Sequence, residues 1–117
     1  MYKGKLIVEP LGDGVFWEVK EMFSFKTPYH GWITIHPGFM TDFASIPKAF
    51  QWFEQPASGK HRRAAVCHDY LYFLKTGKRK AADDAFLYLM EHDGVPYFKR
   101  YAMYWAVRMG GGFRWKK

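Results

Sequence analysis

His68 and Asp69 stand side by side in the segment Arg63-Ala64-Ala65-Val66-Cys67-His68-Asp69-Tyr70-Leu71-Tyr72, which is otherwise an apolar run with helical character. An imidazole and a carboxylate are costly in a packed core unless paired or metal-bound. With Tyr72 one turn further on, the helix offers a base, a hard oxygen ligand and a phenol in fixed relative positions. Water activation by His68 is the chemistry such a set suits, with Asp69 holding a cation or orienting the base. His61, Ala64, Ala65, His68 and Tyr72 share one helical face, and Asp69 is turned about 100° from His68. His61 and His68 are two turns apart, whereas a zinc pair on one helix wants histidines at i and i+4. Any metal at His68 or Asp69 therefore needs a carboxylate from another element.

Two outside acids suit that role. Asp42 lies in Met40-Thr41-Asp42-Phe43-Ala44-Ser45-Ile46-Pro47, which has the acid, hydroxyls and small residue of an active-site loop between apolar anchors. Asp83 follows a short turn after the His68 helix, so its own helix should run antiparallel and bring the carboxylate near His68 or Tyr72. A carboxylate on an imidazole fixes the tautomer and raises basicity. The same Asp-His-Tyr network can equally be architecture that docks helices on a sheet.

The elements that must position these residues fall into two halves. Lys5–Glu9, Val15–Val19, Met22–Phe25 and Gly31–His36 read as strands, with a turn at Pro10–Gly14. In the last strand Trp32, Thr34 and His36 lie on one face, and Ile33 and Ile35 on the other. Residues 39–58 read as a structured loop with one short helix near Pro47, and Gln55–Gly59 as a linker. Three helices follow. The first spans about Lys60 to Leu74 and stops at Lys75-Thr76-Gly77. The second runs from about Arg79 to His92 with an apolar stripe of Ala82, Phe86, Leu89 and Met90; Asp83 sits on its edge and Asp84 faces away. The third runs from Pro96 to about Met109, where Gly110-Gly111-Gly112 should break it, leaving Phe113–Lys117 as a basic aromatic tail.

At 117 residues this is one domain, 1–58 mainly β and loop, 59–117 mainly helical, with enough chain for a real core. The sole cysteine, Cys67, excludes an intrachain disulfide and a cysteine zinc cage. No stretch has the length of a membrane span, and the N-terminus lacks a signal-peptide pattern. Host cytoplasm or a virion is the expected location. The net charge of +7 is uneven: residues 1–58 carry five Lys/Arg against six Asp/Glu, and residues 59–117 thirteen against five. A basic half can meet an anionic surface or simply be a solvated face. In the third helix and tail, Tyr97, Phe98, Tyr101, Tyr104, Trp105 and Trp115 are interleaved with Lys99, Arg100, Arg108, Arg114, Lys116 and Lys117. Such an element can lie on a membrane interface or stack on single-stranded nucleic acid. The plainer expectation is a core helix whose rings pack inward, with the tail after Gly112 as the surface-active part.

Gly38–Pro47, Ala64–Tyr72, Ala82–Phe86 and Met103–Arg108 together resemble a phage and prophage family known as domain of unknown function 1353. The likeness covers most of the chain from Gly31 onward and implies a phage or prophage origin without a settled activity. In that family a single acid precedes the helix phenylalanine by three residues, which maps to Asp83 and not to Asp84. Locally, His68-Asp69-Tyr70-Leu71-Tyr72 is similar to the HDxCY helix of calcium-dependent secreted phospholipases. That likeness implies His68 as base, Asp69 as calcium ligand, and Tyr72 and Asp83 as the supporting pair. Leu71 stands where those enzymes have a half-cystine, and their disulfides have no counterpart here.

The combined expectation is an α+β domain: an N-terminal antiparallel sheet of about four strands, packed by three helices. Its leading function is hydrolysis of an ester or amide bond in an envelope component, phospholipid or cell wall. His68 would activate water, Asp69 and Asp42 would bind a divalent cation (calcium or zinc) or orient the base, and Asp83 and Tyr72 would support it. Such an enzyme should show a solvent-reachable cleft with His68 at its floor. The rival is a non-enzymatic virion component or host-interaction protein in which the network is structural. Partners are then an anionic envelope surface or another phage or host protein. Nucleic-acid binding rests on charge alone, since no binding motif is recognisable.

Overall fold

A computed structural model describes residues 1–14, 16–42 and 60–116. The expected short helix near Pro47 and the linker Gln55–Gly59 lie outside the described residues. The described elements are β1 Tyr2–Lys3, β2 Val8–Pro10, β3 Trp17–Val19, β4 Phe23–Thr27, β5 Gly31–Ile35 and β6 Met40–Thr41, then α1 Arg62–Leu74, α2 Arg79–His92 and α3 Tyr97–Lys116.

The α+β class is as expected. The strands, however, form two antiparallel sheets of three, ordered β1-β4-β5 and β2-β3-β6, in place of one sheet of about four. In β4, Phe23, Phe25 and Thr27 point inward, while Ser24 is half-buried and Lys26 exposed, as a period of two demands. It pairs with β5 through Phe23↔Ile35 and Phe25↔Ile33, and with β1 through Tyr2↔Phe25. In the second sheet β3 pairs with β2 through Val8↔Val19 and with β6 through Trp17↔Thr41. Gly38, at φ 100°, makes the turn into β6 that a side chain would resist, and its N–H donates to Val19 O at 2.8 Å. That turn carries Thr41 to the side of α1.

The core gathers Val19, Phe23, Phe25 and Ile35 from the sheets, Ala64–Cys67 and Leu71 from α1, and Ala82, Ala85, Phe86, Leu89 and Met90 from α2. Each fully buried Phe or Leu contributes about 1.5–3 kcal/mol. All nine residues from Ala64 to Tyr72 are buried, so α1 is enclosed on several sides, touching α2, α3 and β6. Lys75, at φ 54°, closes α1 in the left-handed region, its N–H on Leu71 O at 2.9 Å. The short link to Arg79 then forces α2 back antiparallel to α1.

The third helix corrects the expected stop at Met109: α3 runs through Gly110-Gly111-Gly112 to Lys116. Each interior glycine costs about 1 kcal/mol relative to alanine. Gly111 has a steric reason to be there. A Cβ at that position would overlap the Tyr72 hydroxyl and lie 3.0 Å from Arg79 Nη1. The bare backbone lets α3 lie against α1 and α2, where Arg79 donates to Val107 O and Arg108 O, both at 3.2 Å. Trp115, expected on a surface tail, instead packs edge-on against Tyr72 with centroids 5.1 Å apart. Among the described residues no helix is long and apolar enough to cross a membrane.

Candidate functional site

Adjacent residues on α1 serve two different groups of side chains. His68 and Tyr72, four apart, face α2. There the Asp83 carboxylate accepts His68 Nε2–H and the Tyr72 hydroxyl on the same Oδ1, each at 2.7 Å. Its Oδ2 accepts Arg108 Nη1 at 2.9 Å and Arg79 Nη1 at 3.4 Å. Three helices thus meet at one acid. The His68 ring also lies 4.4 Å from Tyr72 and 4.8 Å from Phe86, centroid to centroid. Neither the His68 nor the Asp83 side chain has exposed surface.

The electrostatics follow from that enclosure. Burial pushes the Asp83 carboxyl up, but hydrogen bonds from His68 and Tyr72, the His68 charge and the Arg108 hydrogen bond outweigh it, and the carboxyl is held below its ordinary value. Burial and the Asp83 hydrogen bond raise the Tyr72 phenol. Burial likewise raises the Cys67 thiol, which leaves it a poor nucleophile. Asp84, which the sequence turns away from the stripe, pairs instead with Lys80 at 2.7 Å and accepts the Tyr104 hydroxyl at 2.6 Å. Burial and that bond push the Tyr104 phenol up to about 12.

Asp69 faces the other way. Its Oδ2 accepts the Thr41 hydroxyl at 2.6 Å and the Asp42 N–H at 3.2 Å. Asp69 and Asp42 line a pocket of about 410 Å³ together with Phe16, Phe39, Met40, Tyr72, Phe73 and Lys75. The pairing of β6 with β3 is what brings Thr41 and Asp42 to α1. Phe39 stacks edge-on against Tyr70 at 4.9 Å and leans on Phe73 at 5.6 Å, building an aromatic wall. Among the described residues Tyr72 alone belongs to both groups: its hydroxyl is in the network and its side chain lines the pocket.

The five expected site residues therefore divide. His68, Asp83 and Tyr72 come together; Asp69 and Asp42 come together; the two sets stand back to back on α1. The expected open cleft with His68 at its floor is not what the described residues form, because that ring is fully buried and the pocket is lined by its neighbour. The cause is the helical step of about 100° between consecutive residues. Among the described residues no group of three or more His, Cys, Asp or Glu side chains converges on a metal position. Sequence pointed to Thr41 only as a hydroxyl of the Asp42 loop and to Arg108 only as a basic residue of the third helix, and gave Arg79 and the phenylalanine walls no role. Only Arg79, four residues before Asp83, carried a readable signal, the i,i+4 ion pair.

Two small antiparallel sheets on a three-helix layer, with an acid-lined aromatic pocket beside a buried charge hub, define the class of domain. The chain belongs to the family described as protein of unknown function (DUF1353), whose model matches residues 17–107. It is 40% identical over 98 residues to uncharacterized protein y4jT of Sinorhizobium fredii (strain NBRC 101917 / NGR234). That match covers 80% of this chain but only 28% of the relative's length. No solved structure matches.

Proposed function

We propose that this domain is a non-enzymatic phage or prophage protein, a virion component or host-contact factor, that binds its target in the Asp42–Asp69 pocket with the help of a divalent cation. The observation that carries the reading is the division within α1: Asp69 lines the pocket, whereas His68 beside it has no exposed surface. A general base must reach the water whose proton it takes. Asp42, Asp69 and the Thr41 hydroxyl are hard oxygen groups. Magnesium and calcium take such carboxylates and complete their shells with water or ligand oxygens. Zinc fits poorly, since His68 directs Nε2 to Asp83. A cation there would bridge to an anionic oxygen of the target, an envelope component or a phage or host protein, while Phe16, Phe39 and Phe73 take its apolar part.

Thermal unfolding with calcium, magnesium or zinc chloride, on wild type and Asp69→Asn, tests this. Calcium or magnesium should raise the melting temperature by several degrees, since ligand at a hundred times its dissociation constant adds about 2.7 kcal/mol. Asp69→Asn should abolish the rise. No response to either ion, or an equal response in the variant, overturns the reading.

One observation favours a second reading, hydrolysis with His68 as base. Asp83 Oδ1 lies 2.7 Å from both His68 Nε2 and the Tyr72 hydroxyl, the arrangement that orients an imidazole and raises its basicity. His68→Ala separates the two on a panel of ester and amide substrates. Turnover in the wild type that vanishes in a still-folded variant supports the hydrolase. No wild-type turnover, with a lower melting temperature in the variant, supports binding.

A further inference from the structure

We infer that the outer face of α3 docks on an anionic phospholipid surface. Its inner face is Met103, Tyr104, Val107 and Gly111, all buried. On the opposite side Phe98, Trp105 and Met109 recur at offsets of seven and four, which is one helical stripe. They are 70%, 58% and 85% exposed, and Tyr97 beside them is 69% exposed. Surface apolar residues scattered singly need no account, but a contiguous stripe of large ones does.

Charge and side-chain type select the occupant. The helix carries no Asp/Glu; of its cations Arg108 is tied inward to Asp83, while Lys99 and Arg100 stand at its N-terminal end beside Tyr97 and Phe98. A helix without acids offers a second copy of itself no counter-charge, whereas anionic headgroups would neutralise its cations. Tyr and Trp carry an apolar body with a polar tip, the chemistry of a lipid headgroup boundary. The Arg100 guanidinium lies over Tyr97 and Tyr101, 5.3 and 5.7 Å from their centroids, so cation and aromatic surface are presented together. An amphipathic helix of this make-up lies in the interface plane and does not span the bilayer. The inference stands apart from the pocket reading, because Asp69 and Asp42 take no part in it.

Co-sedimentation with phosphatidylglycerol/phosphatidylcholine vesicles and with phosphatidylcholine vesicles tests it, using wild type, Trp105→Ser/Met109→Ser and, as an exposed apolar control away from α3, Met22→Ser. Both stripe residues are largely exposed, and the double variant should stay folded, losing only the Trp105 ring contact with Tyr104 at 5.3 Å. Wild type and Met22→Ser should bind the anionic vesicles at least tenfold more tightly than the neutral ones, and bind less as salt rises. The double variant should lose at least tenfold on anionic vesicles. Absent binding, or unchanged binding by the double variant, overturns the inference. So does a wild-type dimer that the double variant splits, which would make a second copy the occupant.

Discussion

Asp83 holds the His68 imidazole through Nε2 at 2.7 Å with neither side chain open to solvent. Removing one partner of a buried, hydrogen-bonded charge network leaves the others uncompensated. Asp83→Asn should therefore cost about 3–5 kcal/mol, a large part of a small domain's stability. Asp84→Asn is the control: its Lys80 partner is exposed, and an amide oxygen still accepts from Tyr104, so the loss should stay under about 1 kcal/mol. Urea unfolding of both variants measures the difference.

The same carboxyl sets an acid limit. Its folded value lies below the ordinary 3.8, because the His68, Tyr72 and Arg108 interactions outweigh burial. A depressed acid contributes its full stability above the unfolded value and loses it as pH falls through the folded one. Wild type should accordingly lose stability as pH drops from about 5 toward 2, over the window where such acids protonate. Asp83→Asn should be weaker at neutral pH and show a shallower slope in that window. Equal slopes in denaturant midpoints measured across it would contradict the assignment.

Gly110 and Gly111 are neighbours with opposite expectations. Nothing lies within 4 Å of a Cβ added at Gly110, so Gly110→Ala should stabilise α3 by about 0.5–1 kcal/mol. At Gly111 the added methyl meets Tyr72 and Arg79, and Gly111→Ala should destabilise by about 1–3 kcal/mol despite the better helix former. Denaturation midpoints moving in opposite directions are the expected result.

Lys75 holds a left-handed backbone that glycine adopts freely, and it stands at the rim of the pocket. Lys75→Gly should raise stability by roughly 0.5–1 kcal/mol, the left-handed penalty of about 1–2 kcal/mol on a side chain less the entropy that glycine loses on folding. Removing the lysine's charge from the rim should also enlarge the calcium or magnesium response proposed for the pocket, read as a larger rise in melting temperature than in wild type.

Sequence periodicity was enough to bound α2 at Arg79 and His92 and to separate Asp83 from Asp84, because a fourteen-residue helix leaves a clear apolar stripe. It was not enough for β1 and β6, two residues each, which have no period to read and exist through pairing with β4 and β3. The course of α3 was hidden for a related reason. Three glycines favour a break locally, and what overrides them is Tyr72, thirty-nine positions before Gly111 and only adjacent once the helices dock. Arg108 and the phenylalanine walls are likewise products of tertiary contact. His68 was correctly linked to Asp83 and Tyr72, but a helical wheel places faces without saying which one meets water.

Because α1 turns Asp69 to the pocket and His68 to the charge hub, the pocket wall can be changed without touching the hub. Relatives that keep the hub but differ at Phe16, Phe39 or Phe73 should share this architecture around a pocket of another shape. A change at Asp83 should instead reach the pocket from behind, through Tyr72, whose hydroxyl it holds and whose side chain lines the pocket.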